Sequence, residues 1–281
     1  MFGTAEATNK FHEGYCVPEN PDGTVIHCDA NDAMEKAVKG KPAQKSFEKL
    51  RDSEVRSVTF LRSGGSQTDN VELSEGGKVF RGIFKLCPGG PRCIGGEFAA
   101  GYLAQTMGME VVAVGVFRTI EIDGQMQTGY LYEFIPGDDL AHNKDAVERA
   151  TTGENKVRYE SIQLLDLLID NLDRQPIHQS GCNYLFGRDG KLYAIDHGIA
   201  FTHEVRPERM ARFGALEIST TSWTMLNKLC TDKRFQKEFL DVIHLVLGGG
   251  MLASALLNRA RYIVANTSKV EGRMLYQPPS P

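Results

Sequence analysis

Two aspartates and an asparagine stand close together in the second half of this 281-residue chain. Asp173 lies in a polar stretch, Asn183 follows ten residues later, and Asp196 ends a β-rich run. Phosphoryl transfer uses one carboxylate to face an acceptor hydroxyl, and an amide with a second carboxylate to hold Mg²⁺ against the phosphates of ATP. The three residues therefore predict transfer from ATP. Each alone also fits a turn or a helix end, where aspartate is common.

A lysine and a glutamate in the first half carry two further charges that this chemistry uses. Lys85 lies in the run GIFKL, on the opposite face of a predicted strand from its two neighbours, and Glu97 begins a predicted helix. A strand lysine either points into solvent or reaches into a cleft, and kinases pair it with a helix glutamate so that it contacts the α- and β-phosphates. The second alternative is favoured by the chain order Lys85, Glu97, Asp173, Asn183, Asp196.

A turn between two predicted strands is a third candidate feature, formed by Ser63, Gly64, Gly65 and Ser66. The backbone N–H groups of such a turn can fold over the phosphates of ATP. The turn matches neither GxGxxG nor a Walker A loop, so an ordinary hairpin turn is the competing interpretation.

Alternating β-rich segments predict an antiparallel sheet in residues 55–135. Strand signals lie on both sides of the turn at 63–70, then at Lys78–Leu86, 111–122 and 127–134. Between the third and fourth of these segments, residues 97–107 carry apolar side chains at helical spacing. We therefore predict about five strands with one helix inserted after the third.

The rest of the chain is predicted to be mainly helical. An apolar stripe at 157–172 predicts a buried helix, a hairpin follows at 184–201, and the tail 271–281 is expected to be disordered or extended. Further helices are predicted at 207–213, 222–230, 233–247 and 251–265.

The predicted fold class is α+β with two lobes: a small antiparallel β N-lobe with one helix, and a larger, mainly helical C-lobe. An N-terminal extension occupies residues 1–54, and the interruption at Gly40 and Pro42 predicts two short helices or a loosely packed arm there. The N-lobe occupies 55–135 and the C-lobe 136–281.

Composition narrows the class of protein and its compartment. A hydrophobic content of 41% and a charged content of 24% are typical of a globular protein. The formal net charge of −4 argues against a nucleic-acid partner, which usually needs a basic face. No apolar run approaches the roughly 20 residues that span a bilayer. The six cysteines form no CxxC pair, and the first residues lack a signal-peptide layout. We therefore expect a cytoplasmic protein, or one delivered into another cell's cytoplasm.

Two sequence motifs carry a family resemblance. The run IDNLDR, followed by an asparagine and then LYAIDHGIAF, resembles the catalytic and metal-binding loops of atypical kinases related to the phosphoinositide 3- and 4-kinases. That broad group includes the actin-fragmin kinase, which phosphorylates protein. Residues 82–108, with a strand lysine before a glutamate-led helix, are similar to the same group, as is LLNRARYIVAN. The resemblance covers residues 57–266 and implies a protein-kinase-like fold.

The resemblance implies a role for each matching residue, with ATP and Mg²⁺ as cofactors. Lys85 corresponds to the ATP-phosphate lysine and Glu97 to its partner, Asp173 to the catalytic aspartate, and Asn183 and Asp196 to the metal ligands. The hinge that holds adenine through backbone groups corresponds to Glu133, Phe134 and Ile135. The chain departs from the family in the ten residues from Asp173 to Asn183, where the usual gap is about five.

The expected function is an ATP-dependent kinase that transfers the γ-phosphoryl group to a hydroxyl, with a protein serine or threonine favoured because no basic lipid-binding run is evident. A phosphoinositide head group is the alternative acceptor. A nucleotide-binding pseudokinase is a competing class, favoured by the long Asp173–Asn183 gap, and a nucleotidyl transferase on the same scaffold is a further alternative.

Overall fold

The computed structural model describes residues 27–61, 67–86, 92–143, 145–171, 173–174, 177, 180–203 and 206–278. These residues form two compact units. Unit 1 contains the described residues through Tyr102, then Val114–Phe134 and Leu245–Gly248. Unit 2 contains Leu103–Ala113, Ile135–His244 and the described residues from Gly249 onward. Together the elements make an α+β protein, as predicted.

Unit 1 is built on a five-stranded antiparallel sheet with the order β1-β2-β3-β5-β4. Helix α3 lies between β3 and β4 in the chain, which confirms the predicted sheet with one helix after its third strand. Asp123 and Gly124 both adopt positive φ (53° and 78°) between the last two strands, as the favoured two-residue hairpin turn requires. The elements of this part of the chain are α1 (His27–Val38), α2 (Ala43–Asp52), β1 (Glu54–Leu61), β2 (Gln67–Glu75), β3 (Lys78–Leu86), α3 (Arg92–Thr106), β4 (Gly115–Ile122) and β5 (Gln125–Glu133).

Helices α1 and α2 pack on β4 and bury apolar side chains such as Met34 and Phe47. The Asn31 amide donates to the Phe117 carbonyl (2.8 Å) and accepts from the Phe117 N–H (2.9 Å). Because β4 is an edge strand, this amide takes the place that a neighbouring strand would occupy. The described helices of the predicted N-terminal extension are therefore part of the unit 1 core.

Helix α3 begins five residues earlier than predicted, at Arg92 instead of Glu97. Gly95 and Gly96 therefore lie inside the helix and not before it. A Cβ at Gly95 would lie only 2.1 Å from the Val246 carbonyl oxygen, so the glycine permits close backbone packing inside a helix. As a result, Glu97 lies in the second turn of the helix.

Unit 2 is mainly helical and contains two three-stranded sheets, β6-β7-β8 and β10-β11-β9. Helix α5 buries its apolar stripe, which includes Ile162, Leu165 and Ile169, and contacts α4, α9, β8 and β9. The elements in this part of the chain are β6 (Gly137–Asp139), α4 (Ala146–Thr151), α5 (Asn155–Ile169), β7 (Tyr184–Gly187), β8 (Leu192–Ala194), α6 (Pro207–Met210) followed by a 3₁₀ turn (Ala211–Phe213), β9 (Leu216–Ile218), α7 (Thr220–Thr231), α8 (Lys233–Leu247), α9 (Gly250–Ala265), β10 (Thr267–Val270) and β11 (Arg273–Tyr276).

Strand β4 is shorter than predicted. It begins at Gly115, not at residue 111, because Val111 and Val112 pair with Ala194 of β8 in unit 2. The described part of the tail contains strand β11, which is the extended alternative of the prediction, and its Tyr276 is fully buried and pairs with Leu216. Within the described ranges, the structure contains no helix with the length and apolarity needed to cross a lipid bilayer.

Candidate active-site residues

Lys85 and Glu97 form a buried ion pair in unit 1. Lys85 lies near the end of β3, and its Nζ is 2.5 Å from Oε1 of Glu97 on α3. Each residue is only 5% exposed, so Lys85 does not point into solvent. The carboxylate therefore holds the ammonium group in one position, because burial makes separation of the two charges costly.

Aromatic side chains and a glycine surround this ion pair. The ring centroid of Tyr132 lies 5.9 Å from Lys85 Nζ, and the buried Tyr130 is the cross-strand partner of Lys85. Burial raises the pKa of the Tyr130 hydroxyl, and the negative charge of Glu97 raises it further. A Cβ at Gly129 would lie 2.6 Å from the Lys85 carbonyl oxygen, so only glycine allows the strands to approach this closely.

The predicted hinge residues follow directly along β5. The Glu133 carboxylate accepts a hydrogen bond from Ser46 Oγ (2.8 Å), and the Phe134 N–H donates to the Arg81 carbonyl (3.2 Å). The Arg81 guanidinium lies 4.0 Å from the Phe134 ring centroid. The Phe134 N–H is therefore already used within unit 1. The predicted adenine contacts of this segment are left to its carbonyl groups and to the backbone of Ile135. The predicted phosphate-binding turn, Ser63, Gly64, Gly65 and Ser66, lies outside the described residues.

Asp173 and Asn183 meet in unit 2 despite the ten residues between them. Asn183 Nδ2 lies 3.1 Å from Asp173 Oδ2, and Asn171 Oδ1 accepts the Asp173 N–H at 3.1 Å. Asp173 is exposed, so its carboxylate can be reached by another molecule. The amide nitrogen of Asn183 faces Asp173, which leaves the amide oxygen as its possible metal ligand.

Asn183 and Asp196 lie at the same open end of the β7–β8 hairpin. Tyr184 pairs with Ala194, and the Ile195 N–H donates to the Asn183 carbonyl (3.1 Å). Both Asn183 (φ 64°) and Asp196 (φ 60°) adopt left-handed backbone conformations. Such conformations in non-glycine residues are uncommon and concentrate at functional sites.

A fully buried guanidinium, that of Arg174, connects the loop of Asp173 with both strands at the open end of this hairpin. Its Nε donates to the Asn183 carbonyl (3.1 Å) and its Nη2 donates to the Ile195 carbonyl (2.6 Å). The same Nη2 lies 3.1 Å from His197 Nε2. One side chain therefore touches both segments that carry the predicted metal ligands, and its own backbone adjoins Asp173.

The charge of Arg174 is balanced inside unit 2 by Asp166 of α5. Arg174 Nη1 lies 2.5 Å from Asp166 Oδ1, and both side chains are fully buried. Burial raises the pKa of the Asp166 carboxyl to about 6, while the positive charges of Arg174 and Arg212 oppose the rise. Burial also raises the pKa of the Tyr184 hydroxyl, and the nearby Asp166 adds to this effect.

Further polar contacts hold the segment between α5 and Asp173. Asp170 has a left-handed φ of 48°, accepts a hydrogen bond from Thr202 and lies 3.3 Å from Arg209 Nη1. Arg212 Nη2 donates to the Asn171 carbonyl at 2.6 Å. In the sequence these residues resemble ordinary surface charges. The one available signal was Asp166, which stands between leucines in the stripe of a predicted buried helix.

The side-chain oxygen atoms of Asn183 and Asp196 are a suitable donor set for Mg²⁺, because Mg²⁺ prefers oxygen ligands. When phosphates complete its coordination, Mg²⁺ needs only one or two ligands from the protein. In the described part of the chain, no group of three or more histidine, cysteine, aspartate or glutamate side chains could hold a metal ion. That Asn183 and Asp196 hold a metal ion stays a prediction.

Comparison with known proteins identifies no relative: no protein-family model matches the chain, and no curated protein matches it either.

Proposed function

We propose that this protein is an ATP-dependent kinase with a two-lobed, protein-kinase-like fold related to the phosphoinositide 3- and 4-kinases. The observation that carries the proposal is the hydrogen bond between Asp173 and Asn183, 3.1 Å long, at the hairpin end that also bears Asp196. Phosphoryl transfer needs an exposed carboxylate beside an amide and a carboxylate that bind metal. The contact supports the proposal because it brings Asn183 beside Asp173 despite the ten-residue gap, which is the feature that favours a pseudokinase.

Each residue has one task in the proposed reaction. Lys85, held by Glu97, contacts the phosphates of ATP, and Asp173 orients the acceptor hydroxyl and accepts its proton. Asn183 and Asp196 hold Mg²⁺, which neutralises charge on the phosphates when it is bound. Most of the rate acceleration comes from positioning and from charge stabilisation, since the transferred phosphoryl group forms no covalent bond with the protein.

The proposed acceptor is a serine or threonine hydroxyl of a protein. The sequence contains no evident basic run of the kind that binds phosphoinositide head groups, and its formal net charge is −4. An anionic lipid surface would repel such a chain on average, whereas a protein acceptor needs no overall positive charge.

The experiment supplies γ-labelled ATP and Mg²⁺ with either a protein extract or vesicles that contain phosphoinositides. We expect label in protein, and expect Asp173→Asn and Asp196→Asn each to lower transfer by roughly 100-fold or more with the fold intact. Asp189→Asn is the matched control, because Asp189 is an exposed aspartate at the opposite end of the same hairpin.

Four results would contradict parts of the proposal. Wild-type turnover in Asp196→Asn would exclude the metal assignment, and label in lipid alone would exclude the protein acceptor. Bound ATP without transfer to any acceptor would indicate a pseudokinase. Label transferred from α-labelled ATP would indicate a nucleotidyl transferase.

A further inference from the structure

The contacts of Arg174 distinguish it from an arginine that only fills space in the core. Its guanidinium donates to carbonyls in two separate segments, those of Asn183 and Ile195, at 3.1 and 2.6 Å. A planar guanidinium presents several N–H groups in fixed directions, so it sets the distance between its acceptors in a way that a lysine ammonium does not. Asn183 is one such acceptor, and Asp196 directly follows the other.

The orientation of Arg174 depends in turn on Asp166. The Asp166 carboxylate lies 2.5 Å from Nη1 of Arg174, whereas the hairpin carbonyls accept hydrogen bonds from Nε and Nη2. Asp166 belongs to the regular helix α5, and its neighbours Leu165 and Leu167 are buried. A buried arginine without a carboxylate partner is costly, so Arg174 would be expected to leave this position if Asp166 lost its charge.

We propose that Asp166 is a positioning residue, which acts through Arg174 to hold Asp173, Asn183 and Asp196 at the spacing that phosphoryl transfer requires; this inference rests on the proposed kinase function. Asp166 touches neither nucleotide nor acceptor. Its effect is to fix the position of Arg174, and through it the loop of Asp173 and the open end of the hairpin, relative to helix α5.

Two substitutions test this role. Asp166→Asn removes the charge with little change in shape, and Arg174→Lys keeps a positive charge beside Asp166 but cannot bridge the two carbonyls. We expect each to lower kcat roughly 10- to 100-fold, because small displacements of reacting groups have effects of that size, while KM for ATP changes less than about threefold. Asp166→Glu, which retains the carboxylate, is expected to recover part of the lost kcat.

Hydrogen exchange supplies a measurement that does not depend on activity. In both variants we expect faster exchange in peptides that cover residues 183–197, since Arg174 no longer holds the hairpin end. Arg259→Lys is the matched control. Arg259 is 1% exposed and donates to the carbonyls of Leu168 and Thr202, so this variant should lose stability while kcat and hairpin exchange stay as in the wild type.

The outcomes separate this inference from the proposed function. Wild-type kcat and wild-type hairpin exchange in Asp166→Asn would overturn the inference, as would an Arg259→Lys variant that loses as much kcat as Arg174→Lys. If Asp166→Asn does not fold, Arg174→Lys still decides the question. A wild-type protein that transfers no phosphoryl group would refute the kinase proposal, and the exchange measurement would still test whether Asp166 positions the hairpin.

Discussion

The buried pair of Lys85 and Glu97 leads to a quantitative prediction about stability. At 2.5 Å, with an effective dielectric constant of about 20, the Coulomb attraction is roughly 7 kcal/mol before desolvation is subtracted. Removing one partner of a buried pair typically costs about 3–5 kcal/mol, because the other charge stays buried alone. At about 2 °C per kcal/mol for a chain of this length, Lys85→Met or Glu97→Gln should lower Tm by roughly 6–10 °C.

The double variant separates this charge effect from simple loss of packing. Lys85→Met with Glu97→Gln leaves no unpaired charge, so its stability should return toward the wild type, with a coupling energy above about 2 kcal/mol. Chemical denaturation, monitored by circular dichroism, measures the free energy of unfolding of the wild type, the two single variants and the double variant. The exposed pair Lys237 and Asp241, with a similar N–O distance of 2.6 Å, is the control and should show almost no coupling. Equal, small coupling in both cycles would refute the argument from burial.

A further prediction concerns packing. Gly95→Ala should destabilise unit 1 by about 2 kcal/mol or more, because its Cβ would meet the Val246 carbonyl. Gly250→Ala is the control and should be neutral or slightly stabilising, because its Cβ would make only ordinary contacts. Thermal denaturation compares the two variants.

Local patterns in the sequence determined most of the secondary structure. Strand β3 and helix α8 have the bounds that alternation and helical periodicity predict, and the Asp123–Gly124 turn adopts the positive φ angles that these residues tolerate. These features depend on neighbours along the chain, so a single sequence contains the information. The predicted order of strands and helix in unit 1 follows for the same reason, since consecutive antiparallel strands need only short connections.

The candidate residues could also be selected from the sequence, because lysine is uncommon inside an apolar strand and because the chain order of the five residues matches the order in kinases. Their proximity could not be predicted in the same way. The ten residues from Asp173 to Asn183 left open whether the two side chains meet, and their contact is a product of the tertiary structure.

Only the tertiary structure decided which polar residues are buried and what they hold. Gly95 looks like a loop residue until the Val246 carbonyl is seen against it, and Val112 looks like part of β4 until it pairs with Ala194. Arg174 looks like a surface charge until it is found fully buried against Asp166. The partners of Gly95 and Val112 are distant in sequence, and the energy of the buried ion pair depends on exclusion of water, which no local pattern records.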